Sequence, residues 1–310
     1  MLVEIKNLVK RYKDFIAVDN LSLSIREGEI FGLLGPNGAG KTTTINTILG
    51  LSKKDSGEIK IFGKSMDKDE MEIKKNIGIV PQNIAVFNDL TAYENVEFFG
   101  RLYGLRGSLL KERVEEALEF TGLLDRKKDY PGKYSGGMQR RLNIACAIVH
   151  KPKLIIMDEP TVGIDPQSRN HILDSVRKLN KSGSTVIYTS HYMEEIEELC
   201  TDITIMDNGK IIASGSKEDL KSLVALEEKL TLTLSNVNYT MVEQIKSISG
   251  VKDCILEDRN LTVISQKGSK NLSRIIDSVN NSNSEIVGID VEKPSLEGVF
   301  LTLTGRKLRD

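Results

Sequence analysis

The sequence predicts an α/β fold, because short, strongly apolar segments alternate with segments of helical periodicity. The apolar segments are residues 30–34, 154–160 and 185–191, which read IFGLL, LIIMDEP and TVIYTSH. Such runs are typical of strands that are buried on both faces. After the first of them, Ile45, Ile48 and Leu49 fall on one face of a predicted helix. We therefore expect a buried parallel or mixed sheet flanked by helices.

Composition limits the function classes. The 310 residues are 39% hydrophobic and 28% charged, enough to bury one large or two ordinary cores. A formal net charge of −1 excludes bulk attraction to nucleic acid. The three cysteines lie far apart, which predicts reduced, apolar side chains rather than a metal site. We see no signal-peptide core and no apolar run near the roughly 18 residues of a membrane span.

Changes of pattern along the chain predict its domains. Amphipathic helical segments between residues 83 and 133 predict a helical subdomain, about residues 83–150, within a first domain of residues 1–222. Beyond it, strict alternation in KLTLTLS starts a second domain, residues 227–310. Its pattern reads β-α-β-β-α-β, a small α+β domain of ferredoxin-like order, and a last helix lies in the tail PSLEGVFLTLTG, residues 294–305.

A glycine-rich segment carries the strongest signal for chemistry. GPNGAGKTT fits the phosphate-binding pattern G-x-x-x-x-G-K-S/T between a strand and a helix. Its glycines let backbone N–H groups turn toward phosphate oxygens, and the next helix points its positive end at them. Lys41 can reach the β- and γ-phosphates, and Thr42 can ligate Mg²⁺. The alternative is a glycine turn without a ligand. The predicted phosphate-binding residues are Gly35, Pro36, Asn37, Gly38, Ala39, Gly40, Lys41, Thr42 and Thr43.

Two carboxylates and a histidine follow the other apolar runs. Asp158 and Glu159 come at the carboxyl edge of the predicted sheet, where ligands bind in open α/β folds. We expect Asp158 to hold Mg²⁺ and Glu159 to orient and deprotonate an attacking water. His191 emerges at the same edge, where we expect contact with the γ-phosphate. The alternatives are an ordinary acidic loop and a histidine that makes a structural hydrogen bond.

These motifs occur in an order that resembles the nucleotide-binding subunit of an ATP-binding cassette (ABC) transporter. The resemblance covers roughly residues 1–220, and its most specific element is YSGGMQ, residues 134–139, in the place of the family signature. Gln82 in GIVPQ matches the Q-loop, Asp165 in VGIDP matches the D-loop, and His191 matches the H-loop. The resemblance also places Tyr12 under an adenine base, although an ordinary strand-end tyrosine is the alternative.

The resemblance implies how the signature works. In this family two chains form a head-to-tail sandwich, and each ATP lies between one P-loop and the signature of the other chain. Ser135 would donate to the γ-phosphate, while Gly136 and Gly137 leave room for backbone N–H groups. Gln82 would ligate Mg²⁺ and report the γ-phosphate. Two departures, Tyr134 for leucine and Met138 for glutamine, leave these roles in place. The alternative for Ser135 is a simple helix N-cap, which is compatible with clamping.

The resemblance further implies an ATPase that uses ATP and Mg²⁺ and powers a separate membrane-spanning permease. The signature and the tail resemble a subgroup of exporter ATPases that includes drug-resistance and sodium-export systems. We expect a peripheral location at the cytoplasmic face of the membrane, a homodimer in preference to a heterodimer, and no nucleic-acid partner. A soluble ABC ATPase in translation or DNA repair is the rival from another class, and a regulatory binder that scarcely hydrolyses ATP is the third.

Overall fold

The computed structural model describes residues 1–224, 227–236, 239–282, 284–292 and 295–304. The chain divides into two compact units, the first spanning Met1–Lys217 and the second beginning at Glu218. This division lies a few residues before the boundary predicted from the sequence, which placed residues 218–222 in the first domain. The last residues of the predicted second domain, 305–310, lie outside the described residues. Among those described, no helix has the length and apolar character that a bilayer crossing requires.

The first unit contains two sheets and a group of helices. Its strands are β1 (Val3–Tyr12), β2 (Phe15–Ile25), β3 (Ile30–Leu34), β4 (Ser56–Ile61), β5 (Lys64–Ser65), β6 (Ile77–Val80), β7 (Leu154–Asp158), β8 (Thr185–Ser190), β9 (Asp202–Asp207) and β10 (Lys210–Ser216). Its helices are α1 (Lys41–Ile48), α2 (Glu70–Lys74), α3 (Ala92–Leu102), α4 (Gly107–Phe120), α5 (Gly136–Ile148), α6 (Pro166–Lys181) and α7 (Met193–Leu199), and α8 (Lys217–Val224) begins at its end.

The central sheet confirms the predicted α/β class. Its strand order is β10-β9-β3-β8-β7-β6, with every pair parallel except β10 and β9. All residues of β3, β7 and β8 are buried. Two strands are shorter than predicted: β7 ends at Asp158, because Glu159 has a φ of 46° in the left-handed region, and β8 ends at Ser190. The carboxyl ends of β3, β7 and β8 therefore carry the P-loop, Glu159 and His191 along one edge.

A second, antiparallel sheet has the order β2-β1-β4-β5. Register shifts along β1 and β2 interrupt the apolar alternation that identifies a strand in sequence. A two-residue turn joins β1 to β2 and sets Tyr12 opposite Phe15. One apolar core, which includes Ile5, Leu33 and Ile45, joins this sheet to the central sheet and to α1. The hairpin tip is thereby fixed next to the P-loop.

The segment predicted to be helical contains α3, α4 and α5. Thr91 and Glu94 form a capping box at the start of α3, which explains why the helix begins there. α5 begins at Gly136, two residues before the predicted Met138, because the Ser135 hydroxyl caps it by accepting the amide of Met138 at 3.3 Å. The structure therefore confirms the capping interpretation of Ser135.

The second unit has a sheet and helices of its own. Its elements are β11 (Glu227–Leu234), α9 (Tyr239–Lys246), β12 (Val251–Glu257), β13 (Asn260–Gln266), α10 (Leu272–Asn280), β14 (Ile286–Glu292) and α11 (Leu296–Thr304). The strand order is β12-β13-β11-β14, with antiparallel pairs throughout. Leu232, Ile245 and Val263 belong to its buried core. The ends of the predicted tail motif, Pro294 and Gly305, lie outside the described residues.

Candidate functional site

A cleft at the carboxyl edge of the central sheet brings most of the predicted site residues together. The cleft has a volume of about 340 Å³. Its walls are formed by Tyr12, Phe15, Ala17, Asn37, Gly38, Ala39, Gly40, Lys41, Thr42, Thr43, Gln82 and Glu159. Four predicted motifs, separated by up to 147 positions in sequence between Tyr12 and Glu159, therefore meet at one site. This edge is where open α/β sheets bind their ligands.

The backbone explains why the P-loop requires glycine. Gly38 and Gly40 have φ values of 82° and 101°, which glycine adopts without strain. A Cβ at Gly35 would lie 2.5 Å from the carbonyl oxygen of Met206, and one at Gly40 equally close to that of Ala17. The loop thus packs directly on neighbouring backbone and leads into α1. The amide groups at the start of α1 and its positive dipole end then face the cleft.

Lys41 is buried, with 4% of its surface exposed. Its ammonium donates to the carbonyl oxygens of Gly35 at 2.8 Å and Pro36 at 3.2 Å, and it pairs with the Glu159 carboxylate at 3.0 Å. The cation is therefore anchored at the floor of the P-loop, where it neutralises Glu159 and faces any anion that enters the cleft. Thr42, in contrast, is exposed on the first turn of α1.

Glu159 is the centre of the polar contacts in the cleft. It is 4% exposed, and its Oε2 accepts a hydrogen bond from the Gln82 side chain at 3.0 Å. Its amide donates to the Thr189 hydroxyl at 2.9 Å, and that hydroxyl donates to Asp158 Oδ1 at 2.6 Å. The left-handed backbone at Glu159 turns its side chain out of the strand direction and toward the P-loop.

His191 lies next to Glu159. Its Nδ1 lies 3.6 Å from Glu159 Oε2, and its ring lies 4.1 Å from that of Tyr192. The structure thus places His191 next to the Glu159 carboxylate. The contact with a γ-phosphate, which the sequence predicted for His191, stays a prediction.

A buried carboxylate, Glu195, makes hydrogen bonds to residues near Glu159 and His191. Its Oε2 accepts hydrogen bonds from the hydroxyl groups of Thr161, Tyr188 and Ser190 at 2.9 to 3.0 Å. Arg169 of α6 pairs with its other oxygen at 2.8 Å. Burial, reinforced by the nearby Glu195 charge, raises the pKa of Tyr188 well above its ordinary value, so Tyr188 stays protonated and donates.

Two aromatic rings form the outer wall of the cleft. Tyr12 and Phe15 are 49% and 65% exposed, and they flank the tip of the β1–β2 hairpin. The Lys10 ammonium lies 4.9 Å from the centre of the Tyr12 ring. Exposed aromatic faces at the rim of a phosphate-binding cleft are suited to stacking on a nucleobase.

The signature segment lies outside the cleft wall. Ser135 and Gly136 are exposed at the start of α5, whereas Tyr134 is buried and donates its hydroxyl proton to the Arg126 carbonyl at 2.7 Å. Gly137 packs on the next motif of the same chain: a Cβ there would lie 2.1 Å from Ser168 Oγ.

The predicted D-loop residue is next to the signature in this arrangement. Asp165 caps α6 by accepting the Ser168 amide at 2.9 Å. This hydrogen bond holds the pKa of Asp165 below its ordinary value. The signature and the D-loop thus form one surface, which we call the signature surface and define as Ser135, Gly136, Gly137 and Asp165.

Sequence reasoning missed several residues of the site. Phe15 was detectable from RYKDF, where two aromatic residues flank a two-residue turn. Glu195 lies in an acid-rich run, and the apolar neighbours Ile196 and Leu199 mark its buried face. Arg140, which is buried and contacts the Q-loop, had no signal beyond an arginine pair in sequence.

The site can attract an anion and activate a water. Backbone amides, the α1 dipole and Lys41 supply positive potential at the P-loop, while Glu159 supplies a base 3.0 Å from the Gln82 amide. Oxygen donors suited to Mg²⁺ are present in the Thr42 hydroxyl, the Gln82 amide and the Asp158 carboxylate. These residues fit a nucleotide with its metal.

Comparisons with known proteins agree with this geometry. The family profile described as ABC transporter matches residues 18–162. Over 311 residues, which cover all of both chains, the protein is 46% identical to the linearmycin resistance ATP-binding protein LnrL of Bacillus subtilis (strain 168). It is 35% identical to the Nod factor export ATP-binding protein I of Ralstonia nicotianae, over 100% of this chain and 95% of that one. The dimeric post-hydrolysis structure of the ATP-binding cassette MJ0796, bound to ADP and Pi, superposes with a TM-score of 0.63 at 31% identity, over 69% of this chain and 98% of that chain.

Proposed function

Since the chain belongs to the ABC transporter family, as one of its ATP-binding proteins, we propose that it hydrolyses ATP to drive export through a separate membrane-spanning subunit. The single observation that carries this proposal is the meeting of the P-loop, Gln82, Glu159 and two aromatic rings in one cleft. Nucleotide binding and ATP hydrolysis are properties of this family. The roles of individual residues, the metal and the partners are proposals.

In the cleft, Tyr12 and Phe15 stack on the adenine, and the P-loop amides with Lys41 bind the phosphates. Thr42, Asp158 and Gln82 would hold Mg²⁺, which would supply positive charge next to the phosphates. Glu159 accepts a proton from the attacking water, and Lys41 and Gln82 keep that carboxylate in place. His191, whose Nδ1 lies 3.6 Å from Glu159 Oε2, contacts the γ-phosphate.

The signature surface completes the site of a second copy. Ser135 and Gly136 are exposed at a helix N-terminus, so a hydroxyl and backbone amides are presented to solvent and suited to a phosphate. The Ser135 cap to Met138 is long, at 3.3 Å, and leaves the hydroxyl proton free to donate. Asp165 lies beside it and belongs to the same dimer contact.

Mixing two inactive chains tests this assignment. Lys41→Ala disables the cleft, and Ser135→Arg disables the signature surface, so each homodimer is expected to be inactive. A mixed dimer has one composite site with both halves intact, and we expect up to about half of the wild-type site activity in that dimer. Activity no greater than that of either variant alone, with mixed dimers demonstrated by differential tags, would contradict the trans role of Ser135.

A groove on the helical subdomain is the proposed docking site for the membrane subunit. It has a volume of about 210 Å³ and is lined by Ile79, Pro81, Ala85, Phe99, Tyr103, Asn143, Cys146 and Ala147. Exposed Phe87, Phe98 and Leu102 extend the apolar surface of this subdomain. An amphipathic helix fits such a surface, and the contact with Pro81 lies next to Gln82.

Affinity purification of the tagged chain from gently solubilised membranes tests the partner. We expect a polytopic membrane protein in a stoichiometric amount, and we expect Leu102→Glu to lose it while ATP hydrolysis by the isolated chain persists. Met71→Glu is the matched control, because Met71 is 73% exposed on α2, outside the helical subdomain. Ribosomal or DNA-repair proteins in place of a membrane protein would favour the rival function.

Two relatives support export over that rival. The full-length relatives are named for linearmycin resistance and for Nod factor export, and we propose that this chain likewise powers export. It is then membrane-associated at the cytoplasmic face, through its permease. All motifs of both half-sites are present in one chain, so we propose a homodimer, which the mass of the ATP-bound Glu159→Gln variant would establish.

A further inference from the structure

The Q-loop, which we define as residues 81–91, is held to helices α3 and α5 by buried polar side chains. On α3, Asn95 accepts the Phe87 amide at 2.8 Å and donates to the carbonyl oxygens of Phe87, Leu90 and Thr91 at 2.9 to 3.0 Å. These bonds are made to backbone groups, so they fix the path of the distal half of the loop whatever its side chains are.

Helix α5 holds the other half of the Q-loop. Asn143 accepts the Ala85 amide at 2.9 Å, and Arg140 donates to the carbonyl oxygens of Pro81 and Gln82. Arg140 and Asn143 are three positions apart and therefore share one face of the helix. The two residues from which the loop leaves the central sheet are thus held by a single side chain, Arg140.

The setting of Arg140 is unusual for an arginine. It is 2% exposed, and among the described residues no carboxylate pairs with its guanidinium. Its Nε is buried without a hydrogen-bond partner in the described part of the chain. A buried cation without a counter-ion is unfavourable for folding. Its contact with the Q-loop carbonyls therefore points to a role beyond stability.

Helix α5 also begins at the signature. Arg140 lies five residues after Ser135, roughly 7.5 Å along a helix at 1.5 Å per residue. The interval is regular α-helix, so a shift of one end is transmitted to the other as a rigid movement. Arg140 also contacts the backbone of Gln82, whose side chain donates to Glu159 in the cleft. These contacts therefore connect the signature end of α5 with the cleft.

We propose that Arg140 is a positioning residue that couples the two ATP sites of the dimer. It joins the backbone of Gln82, in the cleft of its own chain, to the helix whose first residues close the cleft of the other chain. This inference rests on the proposed function, because it requires Ser135 to act across the dimer. ATP that engages Gln82 in one cleft thereby shifts Ser135 at the other, which makes hydrolysis positively cooperative.

The test compares the ATP dependence of hydrolysis in purified dimers. With two coupled sites, the wild-type Hill coefficient lies between about 1 and 2, and in Arg140→Met it falls to about 1. Met has a similar length and apolar volume but no donor for the two carbonyl groups. Arg140→Lys, which keeps a donor, is expected to recover part of the cooperativity and carries the test if the Met variant does not fold.

Two controls distinguish a loss of coupling between the ATP sites from a general loss of stability. Arg113→Met removes an arginine from α4 in the same subdomain, where Arg113 pairs with Glu116 at 2.8 Å, and its Hill coefficient should match the wild type. Gln82→Ala should itself abolish cooperativity, and adding Arg140→Met to it should cause no further decrease. A merely structural arginine would change kcat or Tm without changing the Hill coefficient.

The outcomes distinguish this inference from the proposed function. A cooperative wild type with a non-cooperative Arg140→Met variant supports the coupling role. A folded Arg140→Met variant with the wild-type Hill coefficient overturns it and leaves the ATPase dimer intact. A wild-type chain that hydrolyses ATP as a monomer, with a Hill coefficient of 1, would overturn both the coupling and the proposed action of Ser135 across the dimer.

Discussion

The cleft and the signature surface use their polar residues in opposite ways. In the cleft, charged and polar groups pair with one another: Lys41 and Gln82 both contact Glu159 and so set its position. On the signature surface, Ser135 and Asp165 are exposed, and each caps the helix that follows it. The polar groups of the cleft are therefore engaged with one another, whereas Ser135 and Asp165 are exposed, and we propose that a second chain uses the Ser135 hydroxyl.

This contrast between the cleft and the signature surface predicts where each substitution should act. Buried groups that contact each other in a low-dielectric cleft determine charge and proton transfer, so changes there should alter the chemical step. Exposed helix starts determine how closely two surfaces approach, so changes there should alter closure with little effect on chemistry.

Glu159→Gln should have the largest effect. It keeps the shape of the side chain but removes the base, so ATP hydrolysis should fall by roughly 10²-fold or more while ATP binding and dimerisation persist. Single-turnover hydrolysis and size-exclusion chromatography with ATP measure the two properties. Glu194→Gln is the control, because that side chain is 88% exposed. Turnover near the wild-type rate in Glu159→Gln would remove Glu159 from the role of base.

Gly137→Ala tests the signature surface by geometry. The new Cβ would lie 2.1 Å from Ser168 Oγ, so α6 must shift, and we expect about 1–3 kcal/mol of lost stability from overpacking. Gly136→Ala meets only Ile164, at 3.8 Å, and should retain stability.

Adding Ser168→Gly to Gly137→Ala removes the clashing hydroxyl and should recover part of the stability, as measured by denaturant unfolding. If Gly136→Ala is the more destabilising of the two single variants, the contact with Ser168 is not what requires a glycine at position 137.

The cleft was the more predictable region. Its P-loop residues are consecutive, and Asp158 and Glu159 follow a buried strand, so local patterns place them at one sheet edge. The contacts that orient them are not local: Thr189, which bridges Asp158 and the Glu159 amide, is 31 residues away from Asp158. A sequence pattern contains no distance between strands, so these contacts required the structure.

The signature surface was less predictable for a physical reason. The sequence of the signature predicted that Gly136 and Gly137 leave space for a phosphate, and for Gly136 this role stays a prediction. At Gly137 the structure supplies a further cause within the chain, the close approach of Ser168. Arg140 was not predicted as a site residue, because the sequence does not distinguish a buried arginine from an exposed one.

Tyr12→Ala tests the outer wall of the cleft. Tyr12 is half exposed and Phe15 remains beside it, so we expect about 1 kcal/mol of lost ATP affinity, close to a fivefold increase in Kd. Phe15→Ala should have a similar effect, which sequence reasoning did not foresee. Tyr239→Ala in the second unit is the control, since Tyr239 is 77% exposed. Unchanged affinity for both cleft variants, measured by equilibrium nucleotide titration, would contradict adenine stacking.

The smallest effect concerns the other end of the signature helix. Near the end of α5, His150 stacks on Tyr103 with ring centres 3.5 Å apart, and Tyr103 donates to the Ile77 carbonyl at 3.1 Å. His150 Nε2 lies 3.2 Å from the same carbonyl, and its Nδ1 is buried with no partner in the described part of the chain. Burial lowers the pKa of His150 to about 4. The helix that presents the signature surface is thus attached to β6 by a neutral histidine.

The sign of the pH effect follows from that pKa. Between about pH 6.5 and pH 4 the unfolded chain binds a proton at His150 that the folded chain does not, so stability falls as the pH falls through this range. From pH 7.5 to pH 6 the loss should be about 0.8 kcal/mol. His150→Gln should remove this part of the pH dependence, and exposed His171→Gln should retain it. Identical slopes of unfolding free energy against pH for wild type and His150→Gln would mean that His150 is solvated and does not attach the signature helix to β6.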